Sequence, residues 1–241
     1  MTSPILIGQA GSATRTVCRA YHLGTVDYMG ACRLQEQLRE DRNIGRITDF
    51  ILILQHPPVL TVGKSGYKPE HILVTDKTLE HDGISLCQTN RGGGITYHGP
   101  GQLVCYPIFN LRNLGLTVRQ YLYNLEEVVI TSLAGFGITG QRLPSAPGVW
   151  VEDAEISSIG VHISRGITMH GFTLNVNSDL KHFSYIDACG VSGKKITTVA
   201  RISGTDISME NLILPLLRSF GQIFNLDITQ EQSKSLDIHY E

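Results

Sequence analysis

Several familiar signatures are missing from this 241-residue chain. No CxxC spacing joins its five cysteines (Cys18, Cys32, Cys87, Cys105 and Cys189), and each lies in a different segment. An odd, scattered set argues against a disulfide framework and a zinc site, and fits a reducing compartment. Runs of like charge are missing too: the net charge is -2 with both signs interspersed, so nothing marks a nucleic-acid footprint. No apolar run reaches membrane-spanning length, and the opening MTSPILIGQAGSATRT lacks the apolar core of a secretory signal. Its one basic residue, Arg15, is too little for an organelle transit peptide. The expectation is a cytoplasmic protein with neither a membrane nor a nucleic-acid partner. Residues 1–241 should form one catalytic domain, with 1–16 a frayed extension.

What stands out instead is RGGGITYHGPGQ, Arg91 to Gln102. Gly92, Gly93 and Gly94 have no Cβ, so their backbone can take positive φ and approach a bound group closely. Arg91 and His98 offer charge and proton transfer at the two ends. The segment does not match GxxxxGK[ST] and does not open a helix, so neither a P-loop nor a dinucleotide fingerprint applies. A glycine-rich loop with few charges suits an acyl chain, whose burial contributes roughly 0.8 kcal/mol per methylene.

Around this loop the periodicity alternates irregularly between helix and strand. Asp27 caps a helix with Tyr28, Ala31, Leu34 and Leu38 on one face, and Phe50 to Leu54 reads as a buried strand stopped by Pro57 and Pro58. VLTVGKSG is a second short strand, and Lys68 to Gln88 reads as loop with one strand at Ile72 to Val74. LVCYPIFNL follows the glycine loop as a strand, and Val118, Tyr121, Leu122, Leu125, Val129 and Leu133 mark a helix ended by Gly135. Gly148 to Val151 is strand-like, and Ile156 to Asn175 reads as a hairpin turning at Arg165-Gly166. FSYIDACG is turn-rich, and a last helix from Ser208 carries Pro215 inside it. One α/β domain, a mixed sheet faced by a few helices, accommodates these elements.

Cys189 is the candidate nucleophile, because it precedes Gly190 beyond the strongly apolar segments, whereas the other four thiols sit in helix or strand patterns. A Cys-His arrangement for acyl transfer would take its base from His98 or His170, each beside a glycine, although nine histidines dilute the choice.

RGGGITYHGPGQLVCYPI, with LILQHPPVLTVG before it and SSIGVHISRGITMHGFTLNV and FSYIDACG after it, closely resembles the lipoyl(octanoyl) transferases. The likeness runs from about Tyr21 to Gly190 in the same motif order. It implies a fold like the biotin and lipoate protein ligase catalytic modules. It also implies octanoyl transfer from octanoyl-acyl carrier protein to a lysine of a lipoyl domain, in 2-oxoacid dehydrogenases or the glycine cleavage H protein, through a thioester on Cys189. No cofactor or metal is implied, since exchanging one thioester for another needs no ATP. Carried over by position, Arg91, Gly92, Gly93, Gly94, Ile95, Thr96, Tyr97 and His98 match the acyl-binding loop. Ser158, Ile159 and Gly160, with Gly171, Phe172 and Thr173 next to His170, match hairpin segments lining the same pocket. Glu155 stands where the family has a lysine that lowers the pKa of the cysteine, and Ala188 where proline is common. Lys194, Lys195 or His98 are the alternative activating groups. A non-catalytic relative that binds an acyl group or a lipoyl domain is the alternative that Glu155 raises. An ATP-dependent lipoate ligase would need a nucleotide site and the retained lysine.

Overall fold

The computed structural model describes residues 15–143, 146–187 and 195–232. In chain order the strands are β1 (Thr16–Thr25), β2 (Asp49–Gln55), β3 (Val59–Val62), β4 (Ser85–Gln88), β5 (Ile95–His98), β6 (Gln102–Ile108), β7 (Gln141–Leu143), β8 (Ala146–Val151), β9 (Ala154–Ser164), β10 (Ile167–Asn175), β11 (Lys195–Ile196) and β12 (Leu226–Glu231). The helices are α1 (Tyr28–Asn43), α2 (Asp76–His81), α3 (Val118–Ala134), α4 (Val199–Ser203) and α5 (Glu210–Ile223), with short 3₁₀ turns at Pro69–His71 and Leu180–Tyr185.

The larger sheet runs β12-β1-β2-β6-β10-β9-β8-β7, with β11 pairing in parallel with the start of β9. It is mixed: β1 pairs in parallel with both β2 and β12, while the successive pairs β2–β6, β6–β10, β10–β9 and β9–β8 are antiparallel. Its central strands are apolar on both faces because both faces are covered. Ile51, Ile53, Leu103, Cys105, Phe172 and Leu174 pack with α3 and α5 through Leu125, Val129, Leu216 and Phe220. The alternate residues Leu52, Leu54, Val104 and Tyr106 pack with Ala31, Leu34 and Leu38 of α1. Each buried leucine contributes about 1.5–3 kcal/mol against exposure, which offsets the entropy of ordering these layers.

Helix ends follow the local chemistry. Asp27 accepts the Gly30 N–H at 2.9 Å, and Thr117 with Gln120 forms a reciprocal capping box at α3. No helix among the described residues is long and apolar enough to cross a membrane.

A second sheet, β4-β3-β5, has its own core of Leu60, Val62, Leu79, Ile95, Tyr97, Tyr185 and Ile186. Here the sequence reading needs correcting. Lys68 to Gln88 holds α2, capped by Thr75, and the strand β4; Ile72 to Val74 is no strand, Ile72 making only a bridge to Ile186. The glycine segment likewise contains the strand β5, paired with β3 from Ile95 opposite Val62 to His98 opposite Val59. The expected extension gives way to β1 at Thr16, residues 1–14 lying outside the described residues. The last helix begins at Glu210.

Candidate active site

The glycine run is clamped at the junction of the two sheets. Gly63, Lys64 and Ser65, just past β3, donate their N–H groups to the carbonyls of Gly94, Arg91 and Gly93 at 3.0, 2.8 and 3.1 Å. Across from them, the Gly92 N–H reaches the Val161 carbonyl of β9 at 2.9 Å. Such close backbone approach requires a missing side chain at Gly63 and at Gly160. A Cβ at Gly63 would stand 2.3 Å from the Gly93 carbonyl, and one at Gly160 would stand 3.0 Å from that of Gly92. Gly93 also takes a left-handed φ of +83°.

The two hairpin triplets face each other across one register. Ser158 lies opposite Thr173, Ile159 opposite Phe172, and Gly160 opposite Gly171. Gly171 is tightly placed as well: a Cβ there would come within 2.2 Å of the Cys105 carbonyl. Phe172 turns into the core and stacks on Phe220, so it stands behind the junction, while Ser158, Ile159 and Gly160 remain half-buried beside the glycine run. Ile95 and Tyr97 belong to the core of the small sheet, and Thr96 is half-buried opposite Thr61. The Tyr97 hydroxyl bonds His182 Nδ1 at 3.0 Å, tying β5 to the turn at Leu180–Tyr185. Its phenol is pushed up to about 12, chiefly by burial.

Arg91 and His98 are both buried and belong to one network. The Arg91 guanidinium folds back onto Thr61, with Nε and Nη2 donating to its hydroxyl oxygen at 3.2 and 2.8 Å and Nη2 also to its carbonyl at 2.6 Å. Nη1 donates to the Gly92 carbonyl at 2.9 Å. His98 Nε2 lies 3.1 Å from the Thr61 hydroxyl, and Nδ1 lies 2.8 Å from Gln102 Oε1. Because Gln102 Oε1 can only accept, Nδ1 carries the proton and Nε2 accepts. Burial, then the neighbouring His56 and Arg91 charges, holds the imidazole far below the usual histidine range, so the ring is neutral with both nitrogens engaged. That arrangement orients groups; it leaves no free lone pair for a base.

His170 is the strained member of the site, with φ of +59° inside β10. Pairing with β6 covers only Phe172–Asn175, and the His170 N–H is instead taken by Gln35 Oε1 of α1 at 2.7 Å. Its Nε2 bonds Asn90 Oδ1 at 2.7 Å, immediately before Arg91. Burial lowers this imidazole to about 3.

Glu155 is buried on β9, opposite Ile196 of β11 on one side and Trp150 of β8 on the other. Its Oε2 accepts from the Ser158 hydroxyl at 2.8 Å, and a Cβ at Gly148 would lie 3.1 Å from its Oε1. The alternative cation Lys195 is exposed and engaged in an ion pair with Asp153. Ala188, Cys189, Gly190 and Lys194 lie outside the described residues. The other four cysteines are free thiols raised by burial, Cys18 and Cys105 strongly so and Cys32 to about 12. None of those four offers a thiolate near neutral pH.

Thr61 and Asn175, and Gln102 at the end of the glycine segment, had no role assigned from sequence. The signal that could have marked them is a polar residue inside an apolar strand, since a buried polar group is retained only with partners.

Comparison with known proteins shows the family and the fold. Residues 27–221 match the family model described as the lipoyl protein ligase A/B catalytic domain. An octanoyltransferase from Solibacter usitatus is 43% identical over 211 residues, covering 88% of this chain and 94% of that relative. A putative lipoate protein ligase from T. acidophilum, solved with bound lipoic acid, superposes with a TM-score of 0.69 at 18% identity, covering 90% of this chain and 89% of that one. The biotin protein ligase from Aquifex aeolicus, in complex with biotin and ATP, gives 0.53 at 13% identity over 86% of this chain and 70% of its own. At such identities the two solved structures are similar to this chain in fold alone.

Proposed function

Because the chain belongs to the lipoyl protein ligase A/B catalytic-domain family and is an acyltransferase of the octanoyl-transferring kind, we propose that its donor is octanoyl-acyl carrier protein and its acceptor a lysine of a lipoyl domain. The route is a double displacement on Cys189. The Cys189 thiolate attacks the donor thioester carbonyl, the tetrahedral oxyanion collapses, and the carrier's thiolate leaves and is protonated by solvent. The acceptor amine then attacks the new thioester, an amide forms, the amine gives up its proton, and Cys189 is released as thiolate. Backbone N–H groups at the glycine run or near Gly190 hold the oxyanion in both steps. Residues 1–241 act as one catalytic domain in the cytoplasm, with no cofactor or metal, and the acceptors are the lipoyl domains of 2-oxoacid dehydrogenases or the glycine cleavage H protein.

The observation that carries this reading is the junction itself. The glycine run is bonded directly to β9, one residue from the Gly160–Gly171 pair, so the segments assigned to one acyl pocket are neighbours in space. The raised thiols of the other four cysteines support Cys189 as the nucleophile by elimination. Incubation with octanoyl-acyl carrier protein should add the mass of one octanoyl group, and Cys189→Ser should abolish it. A wild-type protein that stays unmodified over a wide pH range would sink the proposal.

Glu155 favours one second reading, a relative that binds the acyl group or the lipoyl domain without transferring it. A carboxylate beside a thiol opposes thiolate formation, the reverse of what a lysine there does. Saturable binding of a lipoyl domain with no turnover at any pH would identify that case.

A further inference from the structure

The contacts around His98 continue beyond Gln102 into a single line of donated hydrogen bonds. Arg91 has donors only, so its two bonds to the Thr61 hydroxyl occupy both oxygen lone pairs and commit the Thr61 proton to His98 Nε2. His98 donates through Nδ1 to Gln102 Oε1 at 2.8 Å. Gln102 Nε2 donates to Asn175 Oδ1 at 2.9 Å and to the Tyr97 carbonyl at 3.3 Å. Asn175 Nδ2 donates to the Thr197 carbonyl at 3.3 Å. The Thr197 N–H in turn donates to the Glu155 carbonyl at 2.9 Å. Thr61, His98, Gln102, Asn175 and Thr197 are all buried, so water cannot substitute for a missing member.

We propose that Gln102 and Asn175 are positioning residues for acyl transfer: with Thr61 and His98 they fix Arg91, and so the glycine run, against the strand that follows the Cys189 segment. This rests on the octanoyl-transfer reading above. The direction of every bond is set at the Arg91 end, so reversing one member disturbs the others. A carboxylate in place of the Gln102 amide would still accept from His98 Nδ1 but could no longer donate to Asn175. It would also favour the imidazolium, whose second N–H meets the Thr61 hydroxyl and takes a lone pair that holds Arg91. The groups facing His98 from elsewhere are Tyr28, stacked at 5.6 Å, and His56, edge-on at 5.7 Å, with Arg91 and His170 also within electrostatic reach and opposing a charge on the ring. Because the loop would contact the acyl chain in ground and transition states alike, loosening it changes KM for the donor more than kcat.

The experiment pairs histidine ¹⁵N NMR with steady-state kinetics on the full chain. In wild type, His98 should be protonated on Nδ1 and bare on Nε2 at neutral pH. Gln102→Glu should protonate both nitrogens. Gln102→Glu, Asn175→Asp and the isosteric Thr61→Val should each raise donor KM about tenfold with kcat within about twofold, while Thr61→Ser, which keeps the hydroxyl, should restore wild-type values. A wild-type His98 carrying its proton on Nε2 overturns the proposal. So does an active enzyme whose Gln102→Glu and Thr61→Val variants match wild type in donor KM. A wild type inert toward octanoyl-acyl carrier protein overturns the transfer reading and this role with it, and the NMR spectrum separates that outcome from a wrongly assigned relay.

Discussion

At position 155 a carboxylate is housed deliberately: Ser158 donates to Oε2, and Gly148 leaves space beside Oε1 where any larger residue would crowd it. On the proposed chemistry its charge opposes formation of the Cys189 thiolate. Glu155→Lys is therefore expected to move the alkylation profile of Cys189 to lower pH and to raise the transfer rate at neutral pH, about tenfold for each pKa unit gained. Peptide-resolved mass spectrometry after brief alkylation reads this site against the four raised thiols, and a superimposable pH profile would show that residues 155 and 189 are uncoupled. His98 behaves differently from a base at the same scale. With its Nδ1–H committed to Gln102 and Nε2 to Thr61, it should show no titration in histidine NMR between pH 5 and 8, as burial holds it far below its ordinary range.

Between elements, the glycine contacts separate stability from binding. Gly171→Ala places a methyl group 2.2 Å from the backbone oxygen of Cys105, which can yield only if β10 parts from β6. A loss of about 2–4 kcal/mol by urea unfolding is expected from such overpacking and lost pairing. Gly160→Ala meets the Gly92 carbonyl at 3.0 Å, a contact relieved by a displacement of about a few tenths of an ångström, so weaker donor binding with under about 1 kcal/mol of destabilisation is expected. The long periodic elements were legible from residues alone: α1, α3, the apolar strands β2 and β6 and the β9–β10 hairpin all fall where the pattern puts them. The unread elements are short or take their identity from distant partners. The strand β1 mixes Arg19 and His22 with buried Cys18, Ala20 and Tyr21, β11 has two residues, and α2 has six. At the site, Arg91 and the glycines could be singled out because glycine runs are rare signals, whereas the hairpin triplets followed only from the family resemblance. The partners of Thr61, Gln102 and Asn175 were not legible, because a polar residue in an apolar strand tells that it is satisfied but not by which group until β3, β6 and β10 meet.

At the scale of the whole molecule, three buried imidazoles among the described residues make stability depend on pH. Burial lowers His56 to about 4 and His170 to about 3, and His98 moves the same way. Since the unfolded chain takes up protons near the ordinary value of about 6.5 and the folded chain does not, the unfolded state binds more protons below that value. Stability is therefore fully present above pH about 6.5 and falls with acidification toward pH about 4, by up to about 1.4 kcal/mol per pH unit for each of these histidines. Chemical denaturation at successive pH values should show this slope, and His56→Gln should reduce it by about one proton.

The pairing of β1 carries a consequence for biosynthesis. This strand lies between β2 and β12, with Thr16 opposite Leu226 and Tyr21 opposite Glu231. During translation β1 emerges well before β12, so one of its hydrogen-bonding edges waits until every element between them has left the ribosome. A nascent chain stalled before Leu226 would present an open parallel edge to other nascent chains, a setting in which misassembly competes with folding. Slow decoding late in the message should thus cost soluble yield more than the same delay placed between α1 and β2, where the missing partner is still only a few residues away.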